Sequence, residues 1–150
     1  MVAKRPTAER KHFAGLAALS LAVFISLTAQ TAEAIEKCRS HSHETCVVDG
    51  DTIRLRGERM RLMSFDTPEP QTNICGGAAE VALAHRASDR LVELLNDGMA
   101  KEAVSITAHG TDRYGRTLVV VTVDGVDVGD ILIAEGLARR WSDGDEFWCR

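Results

Sequence analysis

From residue 78 to residue 96 the apolar spacing switches from the short alternating runs seen elsewhere to a helical step, and that switch limits the folds open to this chain. Ala84, Ala87, Leu91 and Leu95 fall at intervals of three, four and four, so they line one face of an amphipathic helix that closes near Gly98. On its other side Arg86 with Asp89, and Arg90 with Glu93, are spaced as solvated ion pairs. Around the helix the signals are short. Residues 52–56 and 59–63 flank Gly57-Glu58 as a hairpin with glycine taking the positive φ, and Asp49-Gly50 reads as a turn or bulge at its entry. Residues 103–108 and 117–123 are rich in β-branched side chains and read as strands separated by the polar stretch 109–116. Asp124-Gly125 makes a second hairpin turn, and residues 128–135 form a short second helix ended by Gly136. About five short strands, a helix inserted after the third and no βαβ alternation describe a mainly β chain with helices. The expected α+β fold is a five-stranded barrel of the OB type.

The barrel is expected to occupy residues 35–150, because the first 34 read as an export signal. Lys4, Arg5, Arg10 and Lys11 precede a mostly apolar run at residues 13–27, and Ala32-Glu33-Ala34 offers a small-x-small cleavage pattern. An uncleaved anchor is the other reading, but the run falls short of the ~20 residues a spanning helix needs. The whole chain has 18 basic and 22 acidic residues; without the four basic and two acidic residues of the leader, 14 basic remain against 20 acidic. A net charge near −6 excludes a protein that coats nucleic acid through bulk positive charge, so a polyanion must be held locally. Secretion or a periplasmic location also bears on Cys38, Cys46, Cys75 and Cys149. An even count in an oxidising compartment suggests disulfides, and four cysteines allow three pairings that sequence does not choose between. The pairing expected here is Cys38 with Cys46 and Cys75 with Cys149. The competing reading is a tetrahedral zinc site at Cys38, His41, His43 and Cys46.

The residues that bear chemistry fall in three segments: 48–53, with Asp49-Gly50-Asp51-Thr52; 61–69, from Arg61 to Asp66-Thr67-Pro68-Glu69; and 112–116, Asp112-Arg113-Tyr114-Gly115-Arg116. Asp51, Asp66 and Glu69 lie at strand ends beside two arginines that a small barrel aims at one place. Hard oxygen donors of that kind suit calcium or magnesium, and the planar fork of arginine suits two phosphate oxygens at once. A metal with arginines points to a phosphate ester.

Taken in order, the three segments closely resemble the staphylococcal nuclease (thermonuclease) family, over most of the domain from about residue 47 to residue 140. The resemblance implies an OB barrel and calcium-dependent cleavage of DNA and RNA to 3′-phosphate products. By position it implies that Asp51 and Asp66 are calcium carboxylates and that Thr67 adds its main-chain carbonyl. It implies that Glu69 is the general base, that Arg61 and Arg116 clamp the phosphate, and that Asp49 stands just behind the metal. Each residue also has a plainer reading: Asp49 as turn chemistry, Asp51 and Asp66 as loop caps, Arg61 as the partner of a surface acid. Tyr114 is expected to pack its ring and order the Arg116 loop, with substrate contact as a second role. Base stacking falls to Trp141 or Trp148. His85 and His109 are read as surface residues.

The chain departs from the family pattern in two places. Residues 70–77, with Cys75 among them, replace a lysine-rich loop, and Ser64-Phe65 stands where relatives have glycine and an aliphatic, a change expected to be tolerated. Asp143, Asp145 and Glu146 form an acidic stretch that opposes substrate at low salt. Two function classes follow: an exported monomeric nuclease acting on DNA and RNA with little sequence preference, or a catalytically inactive OB module that binds nucleic acid or another partner at the cell envelope.

Overall fold

A computed structural model describes residues 33–141 and 146–150, all within one compact unit, Thr31–Arg150. The proposed leader, save for its last two residues, lies outside the described residues, as do Asp143 and Asp145. The strands are β1 (Cys46–Asp49), β2 (Thr52–Leu55), β3 (Glu58–Leu62), β4 (Phe65–Asp66), β5 (Val104–Thr111), β6 (Thr117–Val123), β7 (Val126–Asp127) and β8 (Arg139–Arg140). The helices are α1 (Gly77–Ala100) and α2 (Val128–Ala134), and a 3-10 turn spans Phe147–Cys149. The main sheet runs β1-β2-β3-β6-β5 with β7 added on β6, while β4 and β8 form a separate pair. The β3–β6 contact is parallel and the other pairs are antiparallel. This is the expected α+β arrangement, a mixed sheet with β1 and β5 at its edges.

The strands form where the pattern alternates. In β6 the side chains of Val119, Val121 and Val123 are buried while their neighbours are half-buried, the period-two signature of a sheet with one face on the core. Helix α1 covers that core with Ala84, Ala87, Leu91, Leu94 and Leu95, so the expected face is the buried one. Burying each such leucine contributes on the order of 1.5–3 kcal/mol. Ile35 is buried as well, and its backbone N–H and C=O are both taken by the Asn96 amide, at 2.9 and 3.0 Å. Among the described residues no helix is long and apolar enough to cross a membrane.

Three details differ from expectation. The first hairpin turns at Arg56-Gly57 (φ 51° and 84°), one residue earlier than Gly57-Glu58, because two consecutive positive φ values match the strand twist. Helix α1 runs through Gly98, which serves close packing: a Cβ there would stand 2.7 Å from Val104 Cγ2 and 2.9 Å from Val123 Cγ1. The helix ends instead at Ala100, and the chain turns off at Glu102, whose φ is +55°, with Glu102 N–H donating to Met99 O and Ala103 N–H to Gly98 O. Asp89 pairs with Lys37 rather than Arg86, while Arg90 reaches both Glu93 and Glu135. The Asp124-Gly125 turn and the second helix lie where the sequence put them.

Both expected disulfides are present, Cys38–Cys46 and Cys75–Cys149, and they displace the zinc reading. Arg54 turns the zinc loop to another use: it donates to the carbonyls of His41 and His43, at 2.9 and 3.1 Å. His85 and His109 are exposed.

Ser64 shows what its substitution for glycine costs. Its φ is +74°, a region that costs a side-chain-bearing residue about 1–2 kcal/mol, against about 0.5–1 kcal/mol of chain entropy for glycine. Ser64→Gly should therefore raise stability by about 0.5–1 kcal/mol. The check is a higher urea midpoint at unchanged slope; an unmoved or lowered midpoint refutes the account of this position.

Candidate active site

The site is built where β1 gives way to β2. The register shifts between Val47 and Asp49, and the turn that follows brings Asp51 inward to 7% exposure. Gly50 lets this turn lie against the next loop, since a Cβ there would meet the Thr67 side chain at 2.8 Å. On β3, Arg61 stands opposite Thr52 of β2 and Leu118 of β6, near the middle of the sheet. Its guanidinium reaches Asp51 Oδ2 with Nη1, and Asp66 Oδ1 with Nη2 at 3.0 Å. Nη2 also donates to Phe65 O at 3.3 Å. Asp51 Oδ2 accepts further from the Thr67 N–H and hydroxyl, both at 3.3 Å, and Asp51 Oδ1 from Thr52 Oγ1 at 3.0 Å. Two acids from separate loops thus converge on one cation. Arg61 pairs with buried Asp51 and partly buried Asp66, not with a surface acid.

Asp49 and Glu69 flank this pair. The Asp51 N–H donates to Asp49 Oδ1 at 3.3 Å, so Asp49 does perform the turn chemistry foreseen for it. Burial pushes the Asp49 carboxyl up, against the Thr52 hydrogen bond and the charges of Arg61 and Arg59. Glu69 stands exposed at the rim. Lost hydration, then the charges of Asp49 and Asp66, push its carboxyl above the usual range, with Arg61 pulling the other way. A raised carboxyl favours proton acceptance.

Arg116 bonds within its own loop rather than to this cluster. It precedes β6 by one residue and lies two before Leu118, on the side of the sheet that carries Arg61. Asp112 holds it, accepting from Arg116 Nε at 2.7 Å and from the N–H groups of Arg116 and Tyr114 at 2.9 Å. Tyr114 is 68% exposed, its ring lying 4.7 Å from the Arg113 guanidinium carbon and 5.6 Å from that of Arg116. Trp141 is 57% exposed, and its main-chain N–H donates to Ser64 O at 3.1 Å. Trp148 is buried, which removes it as a stacking surface.

Three participants were not foreseen. Arg139, on β8, donates to Asp66 Oδ2 at 3.2 Å and to Glu146 Oε1 at 3.0 Å, so Glu146 is neutralised rather than presented to substrate. Asp112, quoted only as part of a motif, orders the Arg116 loop. Glu80, on the first turn of α1, is 1% exposed and accepts from the N–H groups of Glu69 at 3.3 Å and of Cys75 and Gly76 at 2.6 Å. A glutamate in the first turn after Gly76-Gly77 is the signal that could have marked it, since such residues reach back to the helix entry.

The donor set fits a hard divalent cation. Asp51 Oδ2 and Asp66 Oδ1 already converge on a single positive group, and Thr67, directly after Asp66, is hydrogen-bonded to Asp51 through its N–H and hydroxyl. A sequence model of the family described as staphylococcal nuclease homologue matches residues 59–146. The chain belongs to that family. It is 36% identical over 97 residues to endonuclease YncB of Bacillus subtilis (strain 168), covering 61% of this chain and 44% of that protein. It is 37% identical over 97 residues to the SPbeta prophage-derived endonuclease YokF of the same organism, covering 61% and 31% respectively. It is 34% identical over 97 residues to the succinoglycan biosynthesis protein ExoI of Rhizobium meliloti (strain 1021), covering 63% and 49%. The chain thus spans less than half the length of each of these relatives.

Glu80 makes the fold sensitive to acid. Burial opposes its charge, but the three main-chain donors outweigh burial and hold the carboxyl below its ordinary 4.5. A depressed folded-state pKa means the stabilisation is complete above the unfolded value and is lost as pH falls through the folded one. Urea unfolding at about pH 7 should find Glu80→Gln less stable by about 2 kcal/mol. The difference should shrink below the ordinary carboxyl pKa and vanish once pH has passed the lower folded-state value; a constant difference would exclude ionised Glu80 as the cause.

Proposed function

We propose that the chain is an exported, calcium-dependent nuclease that hydrolyses the phosphodiester bonds of DNA and RNA with little sequence preference, leaving 3′-phosphate ends. The observation that carries this reading is the convergence of Asp51, Asp66 and Arg61 beside Glu69. Two relatives named as endonucleases support it. Export is supported by the two disulfides, and a domain beginning after residue 34 by the buried, hydrogen-bonded Ile35. The protein acts as a monomer.

Asp51, Asp66 and the Thr67 carbonyl would hold the calcium, which when bound neutralises negative charge around the phosphodiester and orders water beside it. Glu69 takes the proton of the attacking water, aided by its raised pKa. Arg61, once it leaves the paired carboxylates, presents its fork to two phosphate oxygens, and Arg116 approaches from the neighbouring strand. Both cations act as charge builds on phosphorus. Asp49 sits behind the carboxylates. Trp141 and Tyr114 offer exposed rings on which bases stack. Contacts made to phosphate and base faces read no sequence.

The test is incubation of the purified protein with plasmid and with RNA, at millimolar calcium or with chelator. Cleavage should require calcium, and intact substrate in the presence of folded protein and calcium would leave only a binding module. Arg61→Lys and Arg116→Lys keep the charge but lose the fork, so each should lower kcat ~10²-fold or more. Full activity in either folded variant would remove that arginine from the mechanism.

A further inference from the structure

Among the described residues the Glu69 carboxylate has no hydrogen bond or ion pair, so its main chain must aim it. That main chain is tightly constrained. Glu69 lies in Pro68-Glu69-Pro70, where Pro68 is fully buried with φ fixed near −65° and Pro70 confines Glu69 to extended backbone. Neither proline has an amide N–H. The single donor in the three residues is the Glu69 N–H, and it is taken by Glu80 Oε1 at 3.3 Å. Glu80 Oε2 takes the N–H groups of Cys75 and Gly76, each at 2.6 Å. One carboxylate on α1 therefore holds both ends of the loop 69–76, and the Cys75–Cys149 disulfide fastens the far end to the 3-10 turn. A carboxylate buried to this degree is costly without such donors, and all three come from the loop that carries Glu69.

We propose that Glu80 is a positioning residue for catalysis, acting through the Glu69 main chain to hold the Glu69 carboxylate at reaction distance. This rests on the nuclease reading of the site. Glu80→Gln keeps the shape but turns an NH2 group toward one of the loop's ends, where N–H donors already point, so one end loses its acceptor. A shift of about 1 Å in a reacting group can cost up to 10²-fold.

The full-length Glu80→Gln protein should be compared with wild type and with Ser88→Ala. Ser88 is a buried residue of the same helix whose hydroxyl donates to Ala84 O at 2.9 Å, and its variant reports general loosening of α1. At a temperature where circular dichroism shows all three folded, kcat and KM are measured on duplex DNA with calcium, and the Glu69 amide proton is followed by NMR without substrate. Glu80→Gln should lose between roughly ten- and a hundred-fold in kcat, with KM within about two-fold. Ser88→Ala should keep wild-type kcat, and the Glu69 amide should move upfield in Glu80→Gln alone. Wild-type kcat in Glu80→Gln, an equal loss in Ser88→Ala, or an unmoved Glu69 amide overturns the proposal. A wild-type chain that cleaves nothing overturns the nuclease reading and the catalytic role with it; an active wild type beside an equally active Glu80→Gln overturns the role alone.

Discussion

Two carboxylates drawn into one partly buried place repel each other and lose hydration, and a cation placed between them offsets both costs. The Arg61 guanidinium is that cation. Arg61 stands on β3, where pairing with β2 on one side and β6 on the other leaves its backbone little freedom, and its side chain bridges Asp51 and Asp66. Removing one partner from such a group is far more damaging than its net contribution suggests, because a charge is left desolvated. Arg139 balances the second oxygen of Asp66, so two acids and two arginines share the same small volume.

The site therefore depends on the sheet for its arginine and on loops for its acids, with each loop restrained by a different device. The turn at Gly50 is pressed against Thr67, the loop after Asp66 is stiffened by two prolines, and the loop before β6 is wound around the Asp112 carboxylate. Burial opposes ionisation of Asp112, yet hydrogen bonds from Arg116 and Tyr114 hold its carboxyl below the ordinary range. The C-terminal segment adds a fourth restraint, since Glu146 reaches Arg139 and Cys149 is bonded to Cys75. The loop that carries Glu69 is thus tied to a segment that is far from it in sequence.

Much of the fold was legible because the deciding forces are local. The helical face of α1, the alternation in β6 and the paired positive φ values at Asp124-Gly125 follow from spacing and turn chemistry. Gly98 misled for a physical reason: glycine both ends helices and permits close packing, and only the valines opposite it tell the two apart. Ser64 passed as a tolerated change because its φ is not written in its residue type. Glu80 and Arg139 escaped notice because an acid in a first helical turn, or an arginine near a chain end, is usually solvated.

The sequence by itself determined the helix and strand periods, the three ordered motifs and the residue types that can hold a cation against a phosphate, since these follow from neighbours a few positions apart. Only the tertiary structure decided that Arg61 faces two acids at once, that Arg139 joins them across 73 residues, and that one buried glutamate closes both ends of the Glu69 loop. Those outcomes depend on register and burial, and a charge becomes costly enough to dictate its partner only after water has been removed around it.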